Sequence, residues 1–157
     1  MPTDSDWMQQ CLELASAAQA LGEVPVAALV VLDNQILGRG YNRNIIDRDP
    51  SAHAEIVALR EAGLAVGNHR LVGATLYCTL EPCLMCAGAI VHARLARLVF
   101  AADDPKTGAA GSVFDVLADQ RHNHRVEVQR GVLAELASER LRTFFREKRL
   151  KEKEQKR

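Results

Sequence analysis

Residues 74–102 read ATLYCTLEPCLMCAGAIVHARLARLVFAA, a stretch that decides the fold. Ala74–Leu80 is short and apolar, as a buried strand is. Cys83 to about Arg94 follows Pro82 as a short apolar helix, and Arg97–Ala101 returns as a strand. The same reading extends upstream. Val26–Leu32 is a continuous Val-rich apolar run, hence a buried strand. Asp33-Asn34 makes a turn, and Gln35–Gly40 comes back as the second arm of a hairpin. Before them, Trp7, Cys11, Leu14, Ala15, Ala18 and Leu21 recur at helical spacing. They predict a helix over 7–21, capped by Asp4, Ser5 or Asp6 and ended by Gly22 and Pro25. Residues 41–51 are polar and form a loop. A helix runs from about Ser51 to about Ala65. Downstream come a loop over 102–112, long enough to suspect function, a short helix over Val113–Ala118, a strand over Arg125–Gln129 and a long helix from Gly131 to about Lys153. The order α-β-β-α-β-α-β-(α)-β-α predicts an α/β fold, a mixed sheet between helical layers.

The chain has 157 residues, 48% of them hydrophobic and 25% charged. Those values suit one compact domain over 1–157 and exclude disorder of the whole chain. No apolar run reaches the 18 or so residues that a membrane span needs. The acidic, polar start is unlike a signal peptide, so the expected compartment is the cytoplasm. Twenty basic residues balance twenty acidic ones, but unevenly. Arg140–Arg157 holds nine Lys/Arg and three Glu, a net of +6, which leaves −6 on residues 1–139. A basic tail on an acidic body is suited to a polyanion. The plainer reading is a solvated helix end, since Lys and Arg favour helix C-termini.

The chemistry lies in His53-Ala54-Glu55 and Pro82-Cys83-Leu84-Met85-Cys86. Alone, C-x-x-C fits a redox dithiol, a metal knuckle or chance, and a lone His is more often structural. Together they converge. Cys83 and Cys86 are three apart in the first turn of one helix, and His53 lies in the first turn of another. Helix N-termini favour thiolate over thiol. Two thiolates and one imidazole make three zinc ligands, and three protein ligands with one open position is the catalytic pattern. Glu55, two residues after His53, reaches a water held there and can move its proton. Cys78 is the main candidate for a fourth ligand, but core packing suits it better. A redox protein would leave His53 and Glu55 without a task, and a zinc-stabilised binding module would leave Glu55 without one. In a cytosolic chain, four cysteines do not suggest disulfides. The H-x-E…P-C-x-x-C arrangement is the known signature of zinc nucleobase deaminases.

Nearly the whole chain resembles the bacterial tRNA-specific adenosine deaminases. The matching stretches are Glu23–Val26, Ala52–Glu55, Thr79–Ala89 and Lys106–Ser112, with Asn123-His124-Arg125 and Phe144-Phe145-Arg146. The second and third identify the cytidine-deaminase-like superfamily; the others are particular to the tRNA branch. The resemblance implies a three-layer α/β/α sandwich with a five-stranded mixed sheet, a homodimer, and one zinc ion (Zn2+) per subunit. It implies conversion of the wobble adenosine of a tRNA anticodon, chiefly an arginine tRNA, to inosine. His53, Cys83 and Cys86 are then the zinc ligands and Glu55 the proton shuttle. The backbone N–H groups of Ala54 and Cys83 would hold the water and the attacked centre. Asn42 would bond the extruded base, and Pro25 and Val26 would wall its pocket.

Asp104, or its neighbour Asp103, would meet the ribose 2′-OH, which tells RNA from DNA. Lys106 is a candidate phosphate contact, and Asn123 belongs to the same tRNA-branch signature. On the terminal helix, Phe144 and Phe145 are about 100° apart, so one packs inward while the other faces flanking bases. Arg146, Lys148 and Arg149 would meet phosphates of the anticodon stem-loop. The zinc motif alone also admits a small-molecule deaminase acting on guanine, cytosine or a nucleotide.

Overall fold

The protein, seen in a computed structural model that describes residues 1–156, folds in the order α1 (Asp4–Ala20), β1 (Ala27–Leu32), β2 (Gln35–Tyr41), α2 (Ala54–Val66), β3 (Thr75–Leu80), α3 (Leu84–His92), β4 (Arg97–Ala102), β5 (Glu127–Gln129) and α4 (Ala134–Gln155). The five strands form one mixed sheet in the order β2-β1-β3-β4-β5. β1 runs antiparallel to both β2 and β3, whereas β3, β4 and β5 are parallel. Side chains alternate across a strand, and that alternation splits the core in two. Ala28, Val30, Leu76, Cys78, Leu98 and Phe100 pack with Ala54, Ala58 and Ala62 of α2 and with Ala87 and Ile90 of α3. Leu29, Val31, Tyr77, Val99 and Ala101 pack with Trp7, Met8, Cys11 and Leu12 of α1 and with Ala137 of α4. The result is the expected three-layer α/β/α sandwich.

Small residues decide how closely α2 lies on the sheet. Gly38 and Gly40 of β2 face its backbone: a Cβ on Gly38 would strike Ala58 O and Ala62 N, and one on Gly40 would strike Ala54 O and Ala58 N. Ala54, Ala58 and Ala62 recur every four residues, so one bare helix stripe meets one bare strand face. This contact fixes the height of the α2 N-terminus above the sheet, and the N-terminus carries His53 and Glu55.

Several expected elements shift. α1 is capped by Thr3, in a reciprocal capping box with Asp6, and not by Asp4, Ser5 or Asp6. Asp4 is used elsewhere: its carboxylate accepts from the Tyr77 hydroxyl at 2.7 Å and pairs with Arg97 at 2.9 Å. α2 begins at Ala54 and not near Ser51, because Asp49 accepts from the Ser51 amide and hydroxyl and holds a turn there. β5 spans only Glu127–Gln129, a short exposed edge strand. Val113–Ala118 is not a helix. Val113 and Phe114 amides bond back to Gly108 O, Val116 N bonds to Ala109 O, and Ala110 bridges Asp115. These bonds fold the segment back on residues 108–110, and the antiparallel Ala110–Asp115 bridge is a pairing that a helix does not make. Among the described residues no helix is long and apolar enough to cross a membrane.

Candidate active site

The start of α2 and the start of α3 converge beside the carboxyl end of β3. His53 and Cys83 are the N-cap residues of these helices, not first-turn residues as expected. The change tightens the site, because N-cap and third-position side chains meet over a helix start. Cys83 and Cys86 hold those two positions on α3. His53 Nδ1 lies 3.5 Å from Cys83 Sγ and 3.5 Å from Cys86 Sγ. A tetrahedral centre with Zn–S near 2.3 Å and Zn–N near 2.0 Å separates N from S by about 3.5 Å, so the three side chains fit a zinc ion. All three ligand atoms lie within 4.8 Å of one another. Cys78 stands outside this group. Its buried thiol donates to Leu80 O at 2.8 Å, and burial pushes its pKa up.

Titration in the cluster centres on one thiolate. A hydrogen bond from the Cys86 thiol, aided by His53, holds the Cys83 thiol down to about 4. Donating to that thiolate, together with burial, pushes Cys86 up. The hydrogen bond to Cys83 outweighs burial and raises His53. Glu55, in the first turn of α2, is only 4% exposed. Burial pushes its carboxyl up; its own amide, the Cys86 thiol and His53 pull partly the other way. A buried carboxyl with raised proton affinity beside the three ligands is equipped to take and return a proton.

The Ala54 amide, expected to face the attacked centre, donates to Asn42 Oδ1 at 2.9 Å. Asn42 thus joins the loop after β2 to the start of α2, and its own amide donates to Val26 O. Pro25 and Val26 are buried where the chain enters β1. Glu23, 2% exposed, accepts from the amides of Ile45 and Ile46, at 3.1 Å and 2.8 Å to one oxygen, and fixes that loop.

Across the site, the loop after β4 separates the two aspartates. Asp103 is exposed and pairs with Arg130 at 3.0 Å, whose guanidinium lies over the Phe100 ring. Asp104 Oδ1 accepts from the Lys106 and Thr107 amides and Oδ2 from the Thr107 hydroxyl. Lys106 is exposed. Glu81, also 2% exposed, accepts from the amides of Asp104, Ala110 and Ser112. Burial would raise its carboxyl, but bonds from Ser112, Asp104 and Ala110 hold it below its ordinary value. Glu23 and Glu81 were not singled out by sequence. The usable signal was an acidic residue next to an apolar strand with a polar loop to satisfy it, and for Glu81 that loop contains glycine.

The remaining candidates lie apart. Asn123 is exposed between two anchored histidines: His122 Nε2 meets Val116 O, and His124 Nε2 meets Leu95 O. On α4, Phe144 is half-buried and Phe145 is 41% exposed; their rings stack edge to face at 5.3 Å. Arg146 and Arg149 are exposed. Among the described residues no hydrogen bond or ion pair joins these side chains to the ligand group.

A sheet that brings a His–Cys–Cys cluster and a buried glutamate to one point defines a deaminase, and a family model described as MafB19-like deaminase matches residues 3–149. A tRNA-specific adenosine deaminase of Haemophilus influenzae is 53% identical over 96% of this chain and 87% of that protein. One of Bacillus subtilis is 44% identical over 98% and 95%. A structure from studies of A-to-I editing by tRNA:A34 deaminases superposes with a TM-score of 0.83, at 41% identity over 86% of this chain and 98% of that chain. The guanine deaminase of Nitrosomonas europaea gives 0.76 at 28% identity, over 92% and 85%. The chain belongs to the family of bacterial tRNA-specific adenosine deaminases.

Proposed function

We propose that the chain, as one deaminase domain over 1–157, converts adenosine to inosine at the wobble position of a tRNA anticodon, chiefly that of an arginine tRNA. One observation carries the reading. The buried Glu55 carboxyl stands beside a His53–Cys83–Cys86 cluster of zinc-binding dimensions, in a chain 53% identical to a tRNA-specific adenosine deaminase. His53, Cys83 and Cys86 hold one zinc ion per subunit. Zinc bound there supplies Lewis acidity that makes water a nucleophile near neutral pH. Glu55 takes the proton released as water adds to adenine C6 and passes it to N1. It then helps the exocyclic amine leave as ammonia. Asn42 orients the base, Pro25 and Val26 wall its pocket, and the Cys83 amide faces the attacked centre. Bases in an anticodon loop are poorly stacked, so extrusion costs less there than in a duplex.

Asp104 and Lys106 meet the sugar–phosphate backbone, while Asp103 is occupied by Arg130. Asn123, Phe145, Arg146 and Arg149 form the outer RNA surface, with Phe144 supporting Phe145. An open apolar groove between α2 and α3, lined by Ile56, Leu59, Leu64, Leu71 and Ala89, supports a homodimer.

The test is inosine formation by zinc-loaded protein on an arginine-tRNA anticodon stem-loop with a wobble adenosine. Free adenosine, cytidine and guanine run alongside. Turnover of the stem-loop alone is expected. Ammonia released only from a free base or nucleoside would replace the tRNA assignment with small-molecule deamination.

Removing residues 143–157 tests the tail. α4 is anchored before that point: Ala137 is buried, Leu141 packs on the core, and Arg140 bonds Leu12 O and Ser16 Oγ. The cut should therefore leave folding and zinc content intact. It removes seven of the chain's basic residues, so stem-loop affinity should fall about tenfold or more at low salt, with a shallower salt dependence. Unchanged affinity would make the tail a solvated helix end.

A further inference from the structure

Glu81 sits between the end of β3 and the Pro82-Cys83 corner, yet its carboxylate points away from the ligand group into the loop after β4. Oε1 accepts from the Asp104 amide at 3.0 Å and from the Ser112 hydroxyl. Oε2 accepts from the Ala110 amide at 2.9 Å and the Ser112 amide at 3.0 Å. No cation shares the charge among the described residues; the loop alone satisfies it. Gly108 closes over the carboxylate, where a Cβ would strike Glu81 Cδ and Asp104 O. The Ala109 amide bonds Pro82 O at 2.8 Å, so the loop is fastened to both residues that precede Cys83. Residues 105–107 are exposed and have no core packing of their own to hold them.

We propose that Glu81 is a positioning residue for substrate. It fastens the 104–112 loop to the Cys83 end of the site and so presents Asp104 and Lys106 to the sugar–phosphate backbone of the bound RNA. This rests on the reading above. A buried ordinary core residue could fill the same space but could not meet three converging amides, and each unmet buried amide is costly. Asp104 then organises the turn itself, through Lys106 N, Thr107 N and Thr107 Oγ1. The base pocket and the backbone contact are thereby held in one register across residue 83.

Glu81→Gln separates this role from mere packing. Glutamine keeps the shape but carries one acceptor and one NH2 group. With NH2 at the Oε2 position it would oppose two amides. With NH2 at the Oε1 position it opposes only Asp104 N, since the Ser112 hydroxyl can turn to accept. The substitution therefore releases the Asp104 amide selectively. For wild type and variant, KM and kcat on the stem-loop, zinc per chain, melting temperature and hydrogen exchange are measured. The variant should raise KM about tenfold and hold kcat within about twofold. Zinc should be unchanged, and the Asp104 amide should exchange about tenfold faster or more. An unchanged KM, or a kcat that falls together with zinc content, would overturn the proposal; the latter would make Glu81 a support of the Cys83 ligand only. Ser112→Ala removes just the hydroxyl donor and serves if Glu81→Gln does not fold. It should raise KM about threefold, and an unchanged KM there also overturns the proposal. A wild-type protein inert on the stem-loop but active on a free base overturns the tRNA reading first, which distinguishes the two failures.

Discussion

Glu55→Ala should lower inosine formation about 10²–10⁴-fold while zinc content and melting temperature stay close to wild type. A first-turn glutamate is ordinarily a solvated partner of the helix dipole, and as such it would gain nothing from burial. Glu55 is 4% exposed, and burial is the main reason its carboxyl holds a proton more tightly than usual. That condition is costly for stability and useful for proton transfer. Removing the carboxyl eliminates a desolvation cost and leaves His53, Cys83 and Cys86 in place. Stability should therefore move by no more than about 1 kcal/mol in either direction. Glu55→Gln gives the sharper comparison, because it keeps volume and hydrogen-bonding reach but cannot carry the proton. Single-turnover inosine formation, with zinc assayed on the same samples, measures both. A Glu55→Gln rate within threefold of wild type would make the residue a packing element and reassign the proton transfer.

The parts of the site visible in the sequence are those whose chemistry is local in the chain. His53 and Glu55 are two apart, and Cys83 and Cys86 are three apart. Each pair sits at one helix start, so spacing alone brings its members together. The apolar runs of β1, β3 and β4 likewise mark themselves, because both faces are covered and their side chains alternate into two cores. What could not be read depends on partners far along the chain. Glu81 acts through donors 23 to 31 residues away, and Glu23 through amides 22 and 23 residues away. The expected helix over 113–118 failed for the same reason. Once Ala110 and Ser112 give their amides to Glu81, the following residues close back on Gly108 and Ala109. The N-cap positions of His53 and Cys83 shift an expected boundary by one or more residues, yet that shift draws imidazole and thiols to 3.5 Å.

Gly40 is the position where sequence, packing and chemistry are most tightly joined. Gly40→Ala should lower stability by about 3 kcal/mol, the upper end for overpacking, and the melting temperature by about 10 °C. The added methyl has no rotamer to escape through, and what it meets is helix backbone: Ala54 O, Ala58 N and the Val57 side chain. The strand cannot yield either, because β2 is paired along its length with β1, Gly40 opposite Ala28. Relief must come from lifting the start of α2, where His53 is the N-cap and Ala54 N is bonded to Asn42. A lift of even 1 Å would stretch the His53–sulfur separations and move Glu55. Zinc affinity and turnover should therefore fall even at temperatures where the variant is fully folded. Arg39, between the two glycines, points outward and is exposed, so Arg39→Ala should stay within about 0.5 kcal/mol of wild type. Thermal melts of both variants, with zinc titration at 20 °C below each midpoint, separate the effects. A Gly40→Ala protein that melts normally would mean that α2 does not bear directly on the strand. One that melts low but binds zinc and turns over like wild type would uncouple the helix height from the site.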